Sequence, residues 1–280
     1  MLKPLSGAWV AKTTCFRHVS RPHLTPYIKR GLKEETMADL RNYQTRVSPA
    51  GAQAGAVIDQ GLRTYMLKIY NLMALAIAIT GIAAYGTYSL AVSNPAFAQL
   101  IFQSPLRWVV MLAPLALVFF LSFRINSMSV GAAQTTFWVY SALMGLSLSS
   151  IFMVYTGPSI IQTFFVTAAS FGALSLYGYT TKRDLSGMGS FMVMGLFGLI
   201  IASIVNIFLG SSALDFAISV LGVLIFAGLT AWDTQKIKEM YFEADGAEVA
   251  GRKAIMGALT LYLDFVNLFL FLLRFLGNRE

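Results

Sequence analysis

The sequence has 280 residues, of which 56% are hydrophobic and 12% are charged, whereas a soluble domain carries about 25% charged residues. The composition therefore predicts an integral membrane protein. The formal net charge is +8, and residues 1–68 alone contribute +7 of it. This concentration at one end indicates membrane topology or lipid contact and argues against nucleic-acid binding.

The N-terminal region also contains Cys15, His18 and His23, so the apolar remainder has neither cysteine nor histidine. That excludes disulfides, ordinary zinc sites, haem ligation, cysteine nucleophiles and histidine proton relays within the membrane. Chemistry there has to use Asp, Tyr, Asn, Arg, hydroxyl groups or backbone carbonyls.

Residues 1–63 are polar and contain four prolines, and we predict an irregular cytoplasmic tail. Residues 1–33 are basic and lack acidic residues, as in an organelle transit peptide. The alternative is that residues 1–36 precede the natural start at Met37. We favour the later start, because the early prolines disrupt an amphipathic helix.

Seven apolar segments follow, and each approaches the ~20 residues that a transmembrane helix needs. They predict an all-α membrane domain over residues 64–280 with seven transmembrane helices. The segments are Ile69–Leu90, Leu106–Phe123, Val130–Tyr155, Ile160–Tyr179, Phe191–Leu209, Ala213–Trp232 and Ala254–Phe275.

The basic residues of the loops predict the orientation. If the helices alternate, most of these residues fall on the same side as the basic tail. The positive-inside rule then places the N-terminus in the cytoplasm and the C-terminus across the membrane. If the last segment is re-entrant instead, the C-terminus returns to the cytoplasm. The loop residues on the tail side are Arg124, Lys182, Arg183, Lys236, Lys238, Arg252 and Lys253.

Asp264 is the one ionisable residue in the middle of an apolar segment. A carboxylate at membrane depth costs roughly 2.5–3.5 kcal/mol on insertion scales, which indicates a functional site with a partner. Asp233 lies near the cytoplasmic end of the sixth segment, and the next helix runs back antiparallel. Asp264 is about eleven residues into that helix, or roughly 16 Å. Both carboxylates are therefore predicted to lie in the cytoplasmic half, and they meet if Asp233 lies a turn or two inside the membrane.

Two carboxylates that meet in a low dielectric cannot both ionise at low cost, so the pair titrates as a coupled unit. The same oxygens suit a hard cation such as Ca²⁺. Asn267 shares the helix face of Asp264 and adds a carbonyl ligand or a hydrogen bond. Arg124 is a candidate counter-ion.

Each of these residues also has a structural interpretation. Asp233 is then a solvated interfacial acid, and Asp264 a carboxyl group bonded to a neighbouring Tyr or Ser. Arg124 is then a positive-inside anchor. The last helix is apolar around its whole circumference, so it contacts either lipid or protein on every side. Asp264 within it favours protein, which predicts a central position for this helix.

These residues carry a resemblance to the Bax inhibitor-1 family. Asp233 in Ala-Trp-Asp-Thr-Gln and Asp264 in Leu-Tyr-Leu-Asp-Phe-Val-Asn-Leu-Phe resemble its last two helices. Asp59-Gln60-Gly61-Leu62-Arg63 resembles the start of its bacterial members. The resemblance covers residues 57–277, and it departs from the family in the longer, acid-rich loop Glu239–Glu248.

The resemblance implies six helices wrapped around the C-terminal helix, in a bacterial inner membrane. It implies a pH-sensitive Ca²⁺ leak with a di-aspartyl sensor, formed by Asp233 and Asp264. It also implies that Arg124 can bind this sensor and hold it in one state. Its expected partners are lipids, protons, Ca²⁺ and a membrane-bound AAA protease. No obligatory cofactor and no enzymatic activity are expected.

Two other functions remain open. An intramembrane aspartyl protease also needs two carboxylates, but such enzymes have Gly-x-Gly-Asp at one acid, whereas Leu261-Tyr262-Leu263 precedes Asp264. A non-conducting regulator of a membrane protease or of cell-stress machinery would use the basic tail.

Overall fold

The computed structural model describes residues 49–278, with side chains from residue 60. These residues form seven long helices and no strand. Short helical turns at Pro95–Ala98, Gln99–Gln103, Ile125–Ser127 and Ser149–Met153 connect some of them. The long helices are α1 (Pro49–Ser93), α2 (Leu106–Arg124), α3 (Val130–Leu148), α4 (Gly157–Thr180), α5 (Ser186–Leu209), α6 (Ser212–Glu239) and α7 (Ala247–Leu276).

All seven helices are long and apolar enough to cross a membrane, so the prediction of an all-α membrane fold is confirmed. The helices extend beyond the predicted apolar segments at several ends. α6 continues from Trp232 to Glu239, and α7 begins at Ala247 rather than Ala254. Hydropathy marks the part of a helix inside the hydrocarbon, whereas the backbone hydrogen bonds continue into the polar turns beyond it.

The first helix begins at Pro49, a residue type suited to a first helical turn. Residues 49–63 are therefore helical, and the predicted boundary at residue 64 lies inside α1. Residues 1–48 lie outside the described residues. The prediction of a transit peptide or a later start at Met37 concerns that part of the chain.

Polar side chains accept hydrogen bonds from the backbone at the N-termini of several helices. Ser129 and Ser211 cap α3 and α6, and the Asp184 carboxylate accepts a 2.8 Å bond from Ser186 N at the start of α5. The hydrogen bonds from Ser186 hold the pKa of the exposed Asp184 carboxyl group below its usual range. Gly210 ends α5 with a left-handed φ of 59°, which permits the tight turn into α6.

The connections that carry the basic residues meet at one end of the bundle. Arg252 Nη1 donates to Met128 O over 3.3 Å, and Lys238 Nζ donates to Tyr179 O over 2.8 Å. The Tyr65 ring of α1 lies 5.5 Å from the Tyr241 ring. We call residues 124–129, 181–185 and 236–253 the basic end. Its placement in the cytoplasm remains a prediction.

The opposite end is closed by the end of α7. Arg274 forms an ion pair with Asp215 at the start of α6. Asn278 O accepts from Thr156 N over 3.1 Å, and Asn278 N donates to Ser159 Oγ over 3.0 Å. These contacts fasten the end of α7 to α4 and α6.

Among the seven helices, α7 is the most buried. In its most apolar window 61% of the residues are buried, against 6–33% in the other six helices. It packs against α3, α4 and α6, and Tyr262 OH meets Thr80 Oγ1 of α1 at 2.7 Å. The high burial explains why α7 is apolar on all faces, and the wrapping of all six other helices around it remains a prediction.

Glycines allow the closest helix contacts. Gly178 of α4 lies against the backbone of Ala231 in α6, and Gly189 of α5 lies against the Trp232 ring. Both contacted residues of α6 directly precede Asp233 in the sequence. Because a backbone neighbour cannot turn aside, a side chain at residue 178 would force α4 away from α6.

Gly178→Ala is therefore expected to lower the free energy of unfolding by about 1–3 kcal/mol through overpacking. Gly172→Ala in the same helix is the matched control, because its added Cβ would meet no atom within 4 Å. The control is expected to be neutral or slightly stabilising, since alanine is the better helix former. Thermal unfolding in detergent measures both, and equal stabilities would contradict the close contact.

Candidate functional site

Asp233 of α6 and Asp264 of α7 come together between the two antiparallel helices. Their residues are 9% and 5% exposed, and their carboxyl groups lie within hydrogen-bonding reach of each other. A hydrogen bond between two carboxyl groups requires a proton on one of them. The arrangement can therefore hold one proton between the two carboxyl groups.

The two acids meet because they lie at similar depths below the basic end. Lys253 Nζ donates to Met240 O over 3.1 Å, and we use this contact between Lys253 of α7 and the end of α6 as the common starting point on both helices. From that level Asp264 is eleven residues along α7, about 16 Å, and Asp233 is seven residues along α6, about 10 Å. The two depths differ by about 6 Å, which is about one helical turn.

The pair lines a crevice of about 610 Å³ between α5, α6 and α7. Most of the lining is apolar, including Phe226, Leu229 and Phe271. The polar lining is concentrated around the pair. The lining residues with a carboxyl, hydroxyl or amide group are Ser203, Asp233, Thr260, Asp264 and Asn267.

One oxygen of the pair is unpartnered. Asp264 Oδ2 is buried and accepts no hydrogen bond from any residue of the described part of the chain. A buried polar atom without a partner costs about 1–3 kcal/mol. This oxygen is therefore the strongest candidate in the crevice to accept a proton, a water hydrogen bond or a cation.

Asn267 lies on the same side of α7 and lines the same crevice. Its Nδ2 donates to Leu263 O over 2.8 Å, which leaves the side-chain carbonyl oxygen as an acceptor. Across residues 60–278, no cluster of three or more His, Cys, Asp or Glu residues is placed to hold a metal. A Ca²⁺ ion here would need Asn267, backbone carbonyls and water in addition to the two carboxylates.

Arg124 is not brought to the pair. Its side chain is exposed at the end of α2, and the three ion pairs within residues 60–278 are formed by other residues.

Lys236, which lies one turn beyond Asp233 in α6, interacts electrostatically with the Asp233 carboxyl group. Its ammonium group lies 4.9 Å from the centre of the Trp232 ring. The three-residue spacing from Asp233 was the available sequence signal for this cation.

Sequence reasoning also missed the hydrogen bonds that hold α6 around Asp233. Ser175 Oγ of α4 meets Thr234 Oγ1 at 2.9 Å and the Tyr70 hydroxyl of α1 at 2.5 Å. Gln235 Nε2 donates to Arg183 O over 2.8 Å, and Gln235 Oε1 accepts from Leu185 N over 2.8 Å. Isolated hydroxyl and amide residues do not reveal their partners in a sequence, because the partners are 50 or more residues away.

Comparison with known proteins places this architecture in a family. A profile of the family described as "Inhibitor of apoptosis-promoting Bax1" matches residues 62–280. The uncharacterized protein RP147 of Rickettsia prowazekii is 56% identical over 224 residues, which are 79% of this chain and 92% of that protein.

Two further relatives carry membrane names. The inner membrane protein YbhL of Escherichia coli K12 is 50% identical over 79% of this chain and 94% of its own length. An uncharacterized membrane protein of Streptococcus pyogenes serotype M1 is 37% identical over 79% of this chain and 96% of its own length.

The shared proton has a spectroscopic consequence. The wild-type protein is expected to show an infrared carbonyl band of a protonated carboxylic acid, and Asp264→Asn and Asp233→Asn are each expected to shift it, because each removes the hydrogen bond between the two carboxyl groups. Asp184→Asn is the matched control, because Asp184 is exposed and asparagine also caps a helix. A band that persists in the Asp233→Asn/Asp264→Asn double variant would assign the proton to another group.

Proposed function

The chain belongs to the family of inhibitors of apoptosis-promoting Bax1, and on that premise we propose that it is a pH-sensitive leak for Ca²⁺ or other cations. The observation that carries the proposal is the buried pair of Asp233 and Asp264, two acids within hydrogen-bonding reach in an apolar bundle. The proposed role is transport rather than enzymatic catalysis.

The proton state of the pair is the proposed switch. With one proton bound, the two carboxyl groups hold α6 and α7 together by a hydrogen bond. When that proton leaves, two negative charges face each other, and charges about 4 Å apart repel by roughly 4 kcal/mol at an effective dielectric of 20. A change of that size shifts a two-state equilibrium by about three orders of magnitude.

The surrounding contacts favour movement on one side of the pair. α6 is held by Thr234 and Gln235 to α1, α4 and the start of α5. Across the crevice, α5 is the least buried of the seven helices, with 6% of its most apolar window buried. We therefore assign the gate to the crevice between α5 and α7.

A cation would replace the proton at the same oxygens. The two carboxylates and the Asn267 carbonyl are hard oxygen ligands of the kind that Ca²⁺ prefers. Lys236 would oppose cation entry while it stays beside Asp233. Arg124 is exposed at the basic end, so a latch on the pair would require movement of α2.

The proposed location is a bacterial inner membrane, as the printed name of the Escherichia coli relative indicates for that protein. The concentration of basic residues at one end supports a cytoplasmic N-terminus. An intramembrane protease is disfavoured because both acids lie inside continuous helices, which leave no opened backbone for a substrate strand.

Flux through the purified protein in liposomes tests the proposal. Wild-type Ca²⁺ flux is expected to change over about pH 5–8, and Asp233→Asn and Asp264→Asn are each expected to alter that response, because each replaces the coupled pair by a single titrating carboxyl group. Asp184→Asn again serves as the control and should respond as the wild type does.

Unchanged flux and an unchanged pH response in both variants would overturn the assignment of the sensor. Absence of flux at every pH, together with retained binding of a membrane protease, would favour the non-conducting regulator. Deletion of residues 1–56 then tests whether the tail is the docking element.

A further inference from the structure

A second crevice lies between α1 and α4, away from the carboxyl pair, with a volume of about 520 Å³. One residue with a formal charge, Arg63, contributes to its lining, and most of the others are apolar or aromatic. The lining residues are Arg63, Met66, Leu67, Tyr70 and Met73 of α1 with Phe171, Gly172, Ser175, Leu176 and Tyr179 of α4.

The crevice changes from polar to apolar along its length. Its mouth is at the basic end, because Gly61 of α1 packs against the hydroxyl group of Tyr241. Arg63 and Tyr179 line the mouth, and Met73 and Phe171 line the deep end. From Arg63 to Met73 the helix rises about 15 Å, which is half of the ~30 Å hydrocarbon core. The crevice therefore has the depth of one lipid leaflet.

The mouth is positively charged. Arg63 is exposed and takes part in none of the ion pairs within residues 60–278. Lys238 Nζ lies 5.3 Å from the centre of the Tyr179 ring, and Lys182 and Arg183 lie two and three residues beyond the end of α4. A negatively charged group at the mouth would meet a local excess of cations without a competing carboxylate in the lining.

We propose that this crevice binds an anionic phospholipid, with its phosphate at Arg63 and one acyl chain along Leu67, Leu176 and Phe171. The charge at the mouth complements the headgroup, and the apolar floor complements the chain. Basic pockets between transmembrane helices are known to bind the headgroups of anionic lipids. A wholly apolar occupant would leave Arg63 unused, and a soluble anion would leave the floor unused.

Native mass spectrometry of the delipidated protein tests the headgroup contact. The probes are phosphatidylglycerol and phosphatidylcholine with identical acyl chains. The wild type is expected to bind phosphatidylglycerol more tightly, and Arg63→Gln is expected to weaken that binding roughly fivefold, the effect of one basic residue near an anionic headgroup. Arg107→Gln, the same change at an exposed arginine of the opposite end, should leave binding unchanged.

A second variant tests the acyl-chain contact. A Cβ atom added at Gly172 meets no protein atom within 4 Å, and Gly172 lines the crevice, so we expect Gly172→Leu to fold and to fill the floor of the crevice. It should weaken binding of both lipids. The proposal is overturned if the wild type binds the two lipids equally, if Arg63→Gln binds phosphatidylglycerol as the wild type does, or if Gly172→Leu binds both lipids unchanged.

Discussion

The central constraint on this structure is the burial of two carboxyl groups in a bundle that is otherwise apolar. Each charged carboxylate is costly at membrane depth, so the surrounding helices have to supply polar partners or a proton. Asp233 and Asp264 supply one another with a partner across the α6–α7 contact. Asp264 Oδ2 is buried and receives no hydrogen bond from a donor group of the described residues, so it is open to the proton that the pair would share.

The rest of the bundle positions this pair. Gly178 and Gly189 bring α4 and α5 close to the segment of α6 that contains Asp233. Hydrogen bonds of Thr234 and Gln235 then fix that segment to its neighbours. On α7, Tyr262 is bonded to Thr80, whose hydroxyl also donates to Ser141 O over 2.9 Å. A hydrogen-bonded framework therefore surrounds the pair on the sides of α1, α3 and α4, while only 6% of the most apolar window of α5 is buried.

The charged residues of the described part of the chain form two groups with different surroundings, the cations of the basic end and the buried acids. The basic end gathers exposed or partly exposed cations from three connections, where they interact with backbone carbonyls, acidic loop residues and, as proposed, lipid headgroups. The buried acids are confined to one crevice. Lys236 links the two regions, since it is in the basic end and interacts with Asp233. The loop-charge pattern assigned Lys236 to topology alone, although its three-residue spacing from Asp233 already placed the two side chains on one face of a helix.

The sequence by itself determined the class of fold, because apolar segments of membrane length have few alternatives to helices. It also identified Asp264 as exceptional, because an acid in an apolar segment is visible without coordinates. Only the tertiary structure decided which residues surround that acid. The register between α6 and α7 brings Asp233 to Asp264, whereas the packing of α2 leaves Arg124 exposed. Hydropathy reports the depth of a residue in the membrane, but it does not report the direction of its side chain or the neighbouring helix that it meets.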